Sequence, residues 1–379
     1  MRFEEIVGHA TLKQKLIDTI QKNRVSHSQL FYGPEGNGGL LLAIAYAQYL
    51  LCEKPSTADS CGMCTACRQV QSFGYPDLHY IYPVASVGKS SGSKPASTDF
   101  LKPWKELIQT DSYFGIYRWL ETLGIQNKQA QIGVHESTSM LKKLQLKSYS
   151  GKHKILILWM PERMNISASN KLLKLLEEPP KQTLFLLVSQ DPDALLKTIT
   201  SRCQKVFIPK YNEIETFQFL EKEEQLDAGP AKVIARLSNG NLAQARRLAE
   251  RAETYKDYAV LFSQWVRSCF KADVKHIIEW AEECGRFERE KIKDFLSFCG
   301  QTFRDSLNIH YKTLEDHNQI FQEVNFELSN FAPYVHSTNA PHIVEAIDTA
   351  AYDIGRNANP KIVLTDLSLN MARFLRVKA

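Results

Sequence analysis

Apolar residues in the first part of the chain occur in short strand-like runs separated by stretches with helical periodicity. Runs of β-favouring residues predict four strands, over residues 29–32, 78–82, 155–159 and 184–189. Helices are predicted over residues 12–20, 40–51, 167–178 and 193–199, and the third of them ends at a double proline. Strands that alternate with helices are typical of a parallel sheet, so the sequence predicts an α/β module over residues 1–209.

The remainder of the chain is predicted to be helical, because strand signals fade after Pro209. Helical segments are predicted over residues 212–225, 231–237, 242–252, 274–284, 289–307 and 364–375. Breaks at Gly229-Pro230 and Asn239-Gly240 separate the first three, which would form a small helical unit over residues 210–252. A second helical region is predicted over residues 253–379.

Two segments, together spanning residues 85–131, interrupt the α/β pattern. Residues 85–98 are rich in Ser, Gly and Lys and contain almost no apolar anchor, which predicts a mobile loop. Residues 100–131 contain five Trp, Tyr and Phe side chains between positions 104 and 119, which predicts an inserted helical piece that packs against the module. The sequence gives no role for this insertion.

The composition is that of an ordinary globular protein. Of 379 residues, 44% are hydrophobic and 23% are charged, which excludes a disordered chain and a fibrous repeat. Lys and Arg total 47 against 42 for Asp and Glu, giving a charge of +5 that permits nucleic-acid contact without arguing for it. Residues 1–10 have no apolar secretory core, and the apolar stretch 40–52 is shorter than the ~18 residues of a membrane span. We therefore expect a soluble, cytoplasmic protein.

Four of the eight cysteines fall within sixteen positions, as Cys52, Cys61, Cys64 and Cys67. The two C-x-x-C spacings suit a tetrahedral zinc ion with sulfur at ~2.3 Å. Four sulfur ligands leave no open coordination position, so the metal would be structural and would stabilise a knuckle over residues 52–67. An iron–sulfur cluster and free or redox-active thiols are the alternatives. The scattered Cys203, Cys269, Cys284 and Cys299 are predicted to be buried thiols.

The glycine-rich turn after the first predicted strand has the shape of a phosphate-binding loop without its chemistry. Such a loop reads G-x-x-x-x-G-K-[ST], because backbone amides cradle the phosphates, the lysine neutralises them and the hydroxyl binds magnesium. Gly33, Gly36 and Gly38 stand at the turn positions, but Gly39 and Leu40 occupy the places of the lysine and the hydroxyl residue. Phosphate docking is compatible with this backbone, whereas catalysis is not expected.

A second element of phosphoryl transfer is also missing. Acidic residues that hold magnesium should end the strand at 155–159, but the chain continues Trp159, Met160, Pro161 and only then Glu162. The two losses together predict that the site cannot hydrolyse nucleotide. The alternative is that Lys152 or Lys154 substitutes for the missing lysine.

A basic stretch precedes the third predicted strand. It consists of Lys142, Lys143, Lys147, Lys152 and Lys154. These lysines would either approach a DNA backbone or form a solvated face. The second interpretation is favoured, because base-stacking aromatic residues and a dense arginine array are missing.

Several motifs occur in an order that resembles a known family. They are IVGH (6–9), VSHSQLF (25–31), the four cysteines, PDLH (76–79), NKLLKLLEEPP (170–180), SRC (201–203), NPK (359–361) and LTDL (364–367). This series resembles the delta-prime subunits of bacterial DNA polymerase III clamp loaders, which are AAA+ proteins. The resemblance is good over residues 1–209 and weaker beyond them.

The resemblance implies a role for Arg202. Clamp loaders are rings of five AAA+ subunits in which an arginine from a neighbour completes each active site. Arg202, with Ser201 and Cys203 as its motif, matches that arginine finger, which would act in trans on a motor subunit. The alternative is a surface arginine that pairs with a nearby carboxylate. Ser189 matches a sensor position, although a structural role is favoured in a site that lacks the lysine, and Ala243 stands where a second sensor arginine belongs.

The resemblance also implies an organisation and a function. Residues 210–252 would form the AAA+ lid and residues 253–379 the helical collar, whereas the insertion over 100–131 departs from the family pattern. The chain would be a non-hydrolysing clamp-loader subunit that holds one structural zinc ion and binds no other cofactor. Its partners would be ATPase motor subunits and delta, and through them the sliding clamp and primer-template DNA. The alternatives are an active AAA+ ATPase and a stand-alone zinc-dependent nucleic-acid binder.

Overall fold

The computed structural model describes residues 1–85, 95–125, 130–136, 144, 148–149, 153–250, 254–312, 321 and 324–377. It contains two compact units. The first comprises Met1–Phe219 with Asn239–Gln244, and the second comprises Leu220–Ser238 with Ala245–Ala379. The domain limits expected at residues 209 and 252 stay predictions. Most of the expected loop at 85–98 and four of the five lysines of the basic stretch, all except Lys154, lie outside the described residues.

The first unit is built on a parallel sheet of five strands. They are β1 (Ser28–Tyr32), β2 (Leu78–Ile81), β3 (Lys154–Trp159), β4 (Thr183–Ser189) and β5 (Gln204–Phe207), in the order β2-β3-β4-β1-β5. Every neighbouring pair is parallel, and the register sets Tyr32 beside Ser189. The carboxyl ends of β1 and β4 therefore lie side by side at the same end of the sheet.

Four of the five strands were predicted from the sequence to within one residue or two, and the fifth was missed. The missed strand, β5, lies at the edge of the sheet, and three of its four side chains are exposed. Its sequence, QKVF, therefore lacks the buried run that predicts strands such as β3 and β4.

The helices follow in chain order. They are α1 (Ala10–Gln21), α2 (Gly39–Leu51), α3 (Thr65–Gln71), α4 (Leu101–Thr110), α5 (Ile116–Thr122), α6 (Ile166–Glu177), α7 (Lys197–Thr200), α8 (Glu213–Lys222), α9 (Ala228–Leu237), α10 (Leu242–Ala249), α11 (Thr254–Lys271), α12 (Val274–Cys284), α13 (Arg289–His310), α14 (Leu328–Phe331), α15 (Ala340–Gly355) and α16 (Pro360–Phe374). Helix α9 begins before Gly229-Pro230, which the sequence analysis treated as a break, because proline is tolerated in the first turn of a helix.

The core of the first unit is a cluster of leucines, isoleucines and aromatic side chains between the sheet and its helices. Leu156 and Leu187 from the sheet pack with Leu172 and Leu176 from α6, all almost fully buried. Helix α2 is buried along nearly its whole length, which explains its uniformly apolar sequence. The prediction of an α/β P-loop-type module followed by helices is confirmed.

The second unit is helical and has an aromatic core. Trp265 stacks on Trp280 with ring centroids 5.3 Å apart and donates a hydrogen bond of 2.8 Å from Nε1 to the Ser368 hydroxyl. Cys269, Cys284 and Cys299 are buried free thiols, as predicted, and burial raises the pKa of Cys269 to about 12. Within the part of the chain that the structure describes, no helix has both the length and the apolar character needed to cross a membrane.

Candidate functional site

The glycine-rich loop joins β1 to α2 and keeps the backbone form expected of a phosphate-binding loop. Gly36 and Gly38 have φ angles of 72° and 75°, in the left-handed region that glycine tolerates best. A Cβ at Gly36 would lie 2.0 Å from the side-chain oxygen of Asn241. The first glycine, Gly33, donates its N–H to the carbonyl of Ser189 at 3.3 Å.

Asn37 occupies the interior of this loop with its own side chain. Its Oδ1 accepts the N–H of Gly39 at 2.9 Å, and its Nδ2 donates to the carbonyl of Ile208 at 3.2 Å. Its backbone carbonyl contacts His9 Nε2 at 2.9 Å. Gly39 stands at the lysine position of the motif, so an amide that would face a phosphate is already paired within the chain.

The aromatic insertion covers the same loop. The loop between α4 and α5 carries Tyr113 and Phe114, both buried, and Tyr113 Oη accepts the N–H of Val7 at 2.9 Å. A Cβ at Gly38 would lie 2.6 Å from the hydroxyl of Tyr211 and 3.2 Å from the Tyr113 ring. The space left over the loop is a cavity of about 30 Å³. Sites for small-molecule ligands typically measure ~300–1,000 Å³, so a nucleotide does not fit in this conformation.

The end of β3 is closed by tryptophans. Trp159 packs with its ring centroid 5.1 Å from that of Trp104 and 5.3 Å from that of Phe114. Trp104 in turn stacks on Tyr82 with centroids 3.9 Å apart. The insertion is thus anchored where a hydrolysing site would carry its magnesium-binding carboxylates.

The nearest acidic residue of this strand end, Glu162, is already engaged. Its Oε1 accepts the N–H of Gln190 at 3.0 Å, and burial raises the pKa of Glu162. Lys154, one of the two candidates for a substitute lysine, lies at the first residue of β3 and donates from Nζ to the carbonyl of Leu144. The glycine loop follows the last residue of β1, whereas Lys154 is the first residue of β3. In a parallel sheet these are opposite ends of the strands, so Lys154 lies ~16 Å from the loop along the strand direction. Lys152 lies outside the described residues.

The expected sensor positions lie near the loop. Ser189 is buried at the end of β4 and lines the small cavity. Ala243 lies on α10, and the residue before it, Leu242, donates its N–H to the Gly36 carbonyl at 3.3 Å. The roles assigned to Ser189, Ala243 and the degenerate loop Gly33, Gly36, Gly38, Gly39 and Leu40 stay predictions.

The four cysteines converge on one point. Their sulfur atoms all lie within 4.8 Å of one another, and the Cys52–Cys61, Cys52–Cys64 and Cys61–Cys67 pairs are 3.6, 4.0 and 3.9 Å apart. Four ligands at ~2.3 Å from a tetrahedral zinc ion would be ~3.8 Å apart, so the arrangement fits zinc. Because all four are free cysteines, a disulfide does not explain the clustering.

Local backbone elements set this cluster. Cys52 follows α2, and Cys64 caps α3 by accepting the N–H of Cys67 at 3.4 Å. The N–H of Cys64 points to Cys61 Sγ at 3.4 Å, and hydrogen bonds from the backbone lower the pKa of Cys61 to about 6. Burial raises the pKa of Cys67. The cluster could therefore hold a metal ion, whose positive charge would be needed to keep all four sulfurs as thiolates.

Arg202 lies between α7 and β5 at the surface of the first unit. The helix expected over residues 193–199 is in fact a 3₁₀ turn, Pro192–Ala194, followed by the single turn of α7, because Leu195 and Leu196 are extended between them. Arg202 pairs with Glu177 at 2.8 Å. Its neighbour Cys203 is buried and hydrogen-bonds the Ser28 hydroxyl at 2.9 Å. The finger role of Arg202, Ser201 and Cys203 stays a prediction.

Sequence reasoning missed the residues that fill the glycine loop. The loop motif assigns no role to the position of Asn37, and the pattern that predicts the insertion does not indicate what the insertion packs against. The clustering of Trp104, Tyr113, Phe114 and Trp119 within sixteen positions was the available signal, since so many aromatic residues require a large buried surface.

Comparisons with known proteins point to one family. The model of the family described as DNA polymerase III, delta subunit, matches residues 8–212. The chain is 30% identical over 226 residues to DNA polymerase III subunit delta' of Pseudomonas aeruginosa, covering 59% of this chain and 56% of that protein. It is also 30% identical over 256 residues to subunit delta' of Bacillus subtilis, covering 65% of this chain and 63% of that protein. The chain thus spans less than two thirds of the length of these relatives.

Among solved structures, a DNA polymerase III gamma subunit-related protein from Thermotoga maritima is 14% identical, with 96% of this chain and 100% of that chain covered and a TM-score of 0.39. A TM-score at this level carries no argument about function. The family match spans more than half of the chain and includes the glycine loop, the cysteine cluster and Arg202. Both relatives named above are delta' subunits, so the predicted family is confirmed, and the chain belongs to the DNA polymerase III delta subunit family.

Proposed function

We propose that this chain is a non-hydrolysing delta' subunit of the DNA polymerase III clamp-loader complex. In this role it assists ATP-dependent loading of the sliding clamp onto primer-template DNA during replication. Its partners are ATPase motor subunits and delta in a pentameric ring, and it supplies Arg202 to the active site of a neighbouring motor. Zinc at Cys52, Cys61, Cys64 and Cys67 is structural, one ion per chain.

The filled glycine loop is the observation that carries this proposal. An active P-loop presents free amides, a lysine and a hydroxyl to a nucleotide. In this chain the Gly39 amide is bound by Asn37, Tyr113 and Phe114 lie over the loop, and the remaining cavity measures about 30 Å³. Both the chemistry and the volume of the site argue against ATP hydrolysis by this chain.

ATP binding to the purified chain tests the non-hydrolysing role. We expect no magnesium-dependent ATP binding at micromolar concentrations in calorimetry and no turnover. Micromolar affinity together with turnover that is lost on substitution of Gly38 would overturn the proposal in favour of an active ATPase.

Replacing Arg202 tests the contribution in trans. A guanidinium at the γ-phosphate neutralises charge in the transition state. In the Arg202→Ala complex, ATP hydrolysis at the active site that Arg202 normally completes should therefore slow by ~10³-fold or more. The measurement is DNA-stimulated ATPase and clamp loading by the reconstituted complex, with Lys205→Ala, an exposed cation three residues away, as the matched control. Unchanged ATPase and loading rates in the Arg202→Ala complex would show that Arg202 is not a finger.

A further inference from the structure

Arg202 is held in a defined direction by two acceptors. Its Nη2 donates to Glu177 Oε1 at 2.8 Å, and its Nη1 donates to the backbone carbonyl of Thr198 at 2.9 Å. The side chains of Arg202 and Glu177 are 38% and 43% exposed. A guanidinium has five N–H donors, so three are left to face a partner while the other two fix its plane.

Both residues of this contact adjoin backbone that packs in the core. Glu177 is the last residue of α6, which stops there because Pro179-Pro180 cannot continue the helix, and the preceding Leu176 is buried. On the other side, Ile199 and Cys203 belong to the same buried cluster as Leu176. The backbone positions of the carboxylate and of the guanidinium are therefore fixed relative to each other.

Helix stability does not explain an acidic residue at this position. The C-terminus of a helix carries partial negative charge, which disfavours a carboxylate. An ion pair between two half-exposed side chains also adds little to folding stability. The pair instead fixes the orientation of the guanidinium. An unrestrained arginine side chain loses much rotamer freedom when it engages a phosphate, and an arginine that is already held in place loses less.

We propose that Glu177 is a positioning residue for Arg202. By accepting one Nη2 hydrogen bond, it keeps the guanidinium extended at the surface with its remaining donors available to the γ-phosphate in a neighbouring motor subunit. The inference rests on the proposed function, since it assumes that Arg202 acts in trans. Glu177 itself touches neither nucleotide nor magnesium in this scheme.

The test uses the reconstituted clamp-loader complex and measures its DNA-stimulated ATPase rate. Subtracting the rate of the Arg202→Ala complex gives the part of the rate that depends on Arg202. For Glu177→Ala we expect this part of kcat to fall about 2- to 5-fold, the range that a half-exposed ion pair supports, with KM for ATP unchanged. Glu177→Gln should restore the rate, because its amide oxygen accepts the same hydrogen bond. Glu178→Ala removes the adjacent exposed carboxylate and should leave kcat unchanged.

The double variant Glu177→Ala/Arg202→Ala separates coupling from a general defect. If Glu177 acts through Arg202, the double variant has the rate of Arg202→Ala alone. A full Arg202-dependent rate in Glu177→Ala would overturn the inference while leaving the finger intact. An unchanged rate in Arg202→Ala would instead overturn the proposed function. Equal losses in Glu177→Ala and Glu177→Gln, with normal thermal unfolding of both, would also contradict a positioning role.

Discussion

The glycine loop and the cysteine cluster lie at opposite ends of α2, and they differ in what occupies them. At the N-terminal end the loop's interior is occupied by Asn37 and covered by Tyr113 and Phe114. At the C-terminal end four sulfurs crowd within 4.8 Å of one another and are hydrogen-bonded chiefly by backbone N–H groups. The first site is filled by the protein's own side chains, whereas the second could hold a metal ion.

The difference gives a criterion for a site that has lost its ligand. Unpaired backbone amides buried without a partner are costly, so a phosphate loop that binds no phosphate is stable only when other groups pair its donors or exclude water from it. Four clustered sulfurs have no comparable internal solution as thiolates, because only a cation offsets four neighbouring negative charges. In the proposed function, the filled loop binds no nucleotide and the converging sulfurs hold zinc.

Removing a metal ligand should have the largest effect. Cys64→Ser should abolish zinc binding and lower the free energy of unfolding by roughly 5 kcal/mol, because metal-binding energy is folding energy in such knuckles. Metal analysis of the purified protein should give about one zinc ion per chain for wild type and near none for the variant. Met63→Ala, an exposed change in the same knuckle, should retain zinc. A wild-type protein that purifies folded and metal-free would contradict the assignment.

Removing the anchor of the insertion should have the next largest effect. Trp104 is fully buried against Tyr82 and Trp159, so Trp104→Ala should cost about 3–5 kcal/mol in denaturant unfolding. Tyr117, 44% exposed in the same insertion, is the matched control, and Tyr117→Ala should change stability by less than about 0.5 kcal/mol. Equal, small losses in both variants would mean that the insertion does not stabilise the closed loop.

A smaller effect is expected from adding a methyl group at Gly38, which would reduce the space above the loop further. Gly38 and Gly124 both have positive φ, but an added Cβ meets Tyr211 at 2.6 Å in the first case and nothing within 4 Å in the second. Gly124→Ala should cost about 1 kcal/mol from backbone strain alone. Gly38→Ala should cost about 2–3 kcal/mol, because strain and a steric clash add. Thermal unfolding of the two variants measures the difference, and equal costs would show that the loop is less closely covered than the structure indicates.

The smallest expected effect is a change in pH dependence. Burial against Tyr211 lowers the pKa of His9 below its ordinary value of 6.5. The unfolded chain therefore takes up a proton first as the pH falls, and His9 contributes a loss of stability that begins near pH 6.5 and levels off below the pKa of the folded state. In His9→Asn, a residue that also tolerates left-handed backbone, unfolding free energy should vary less between pH 7 and pH 5. An identical pH profile would exclude His9 as a contributor.

Local signals in the sequence predicted much of the first unit. Strands β1, β3 and β4 are largely buried runs, and the double proline ends α6 within a residue of the predicted position. The spacing of the four cysteines also predicted the geometry of the cluster, because they lie within one short segment whose turns are fixed locally. Exposed β5 and the irregular segment at Pro192–Leu196 were mispredicted, because neither carries a clear periodicity.

By itself the sequence determined that the lysine and the hydroxyl of the phosphate loop are missing and that four thiols are spaced for one metal ion. Only the tertiary structure showed which side chains fill the loop and which carboxylate pairs with Arg202. Tyr113 meets the N–H of Val7 across 106 positions of the chain, and Asn37 meets Ile208 across 171. Propensity and spacing act over a few residues, whereas such contacts depend on how the sheet brings distant segments together.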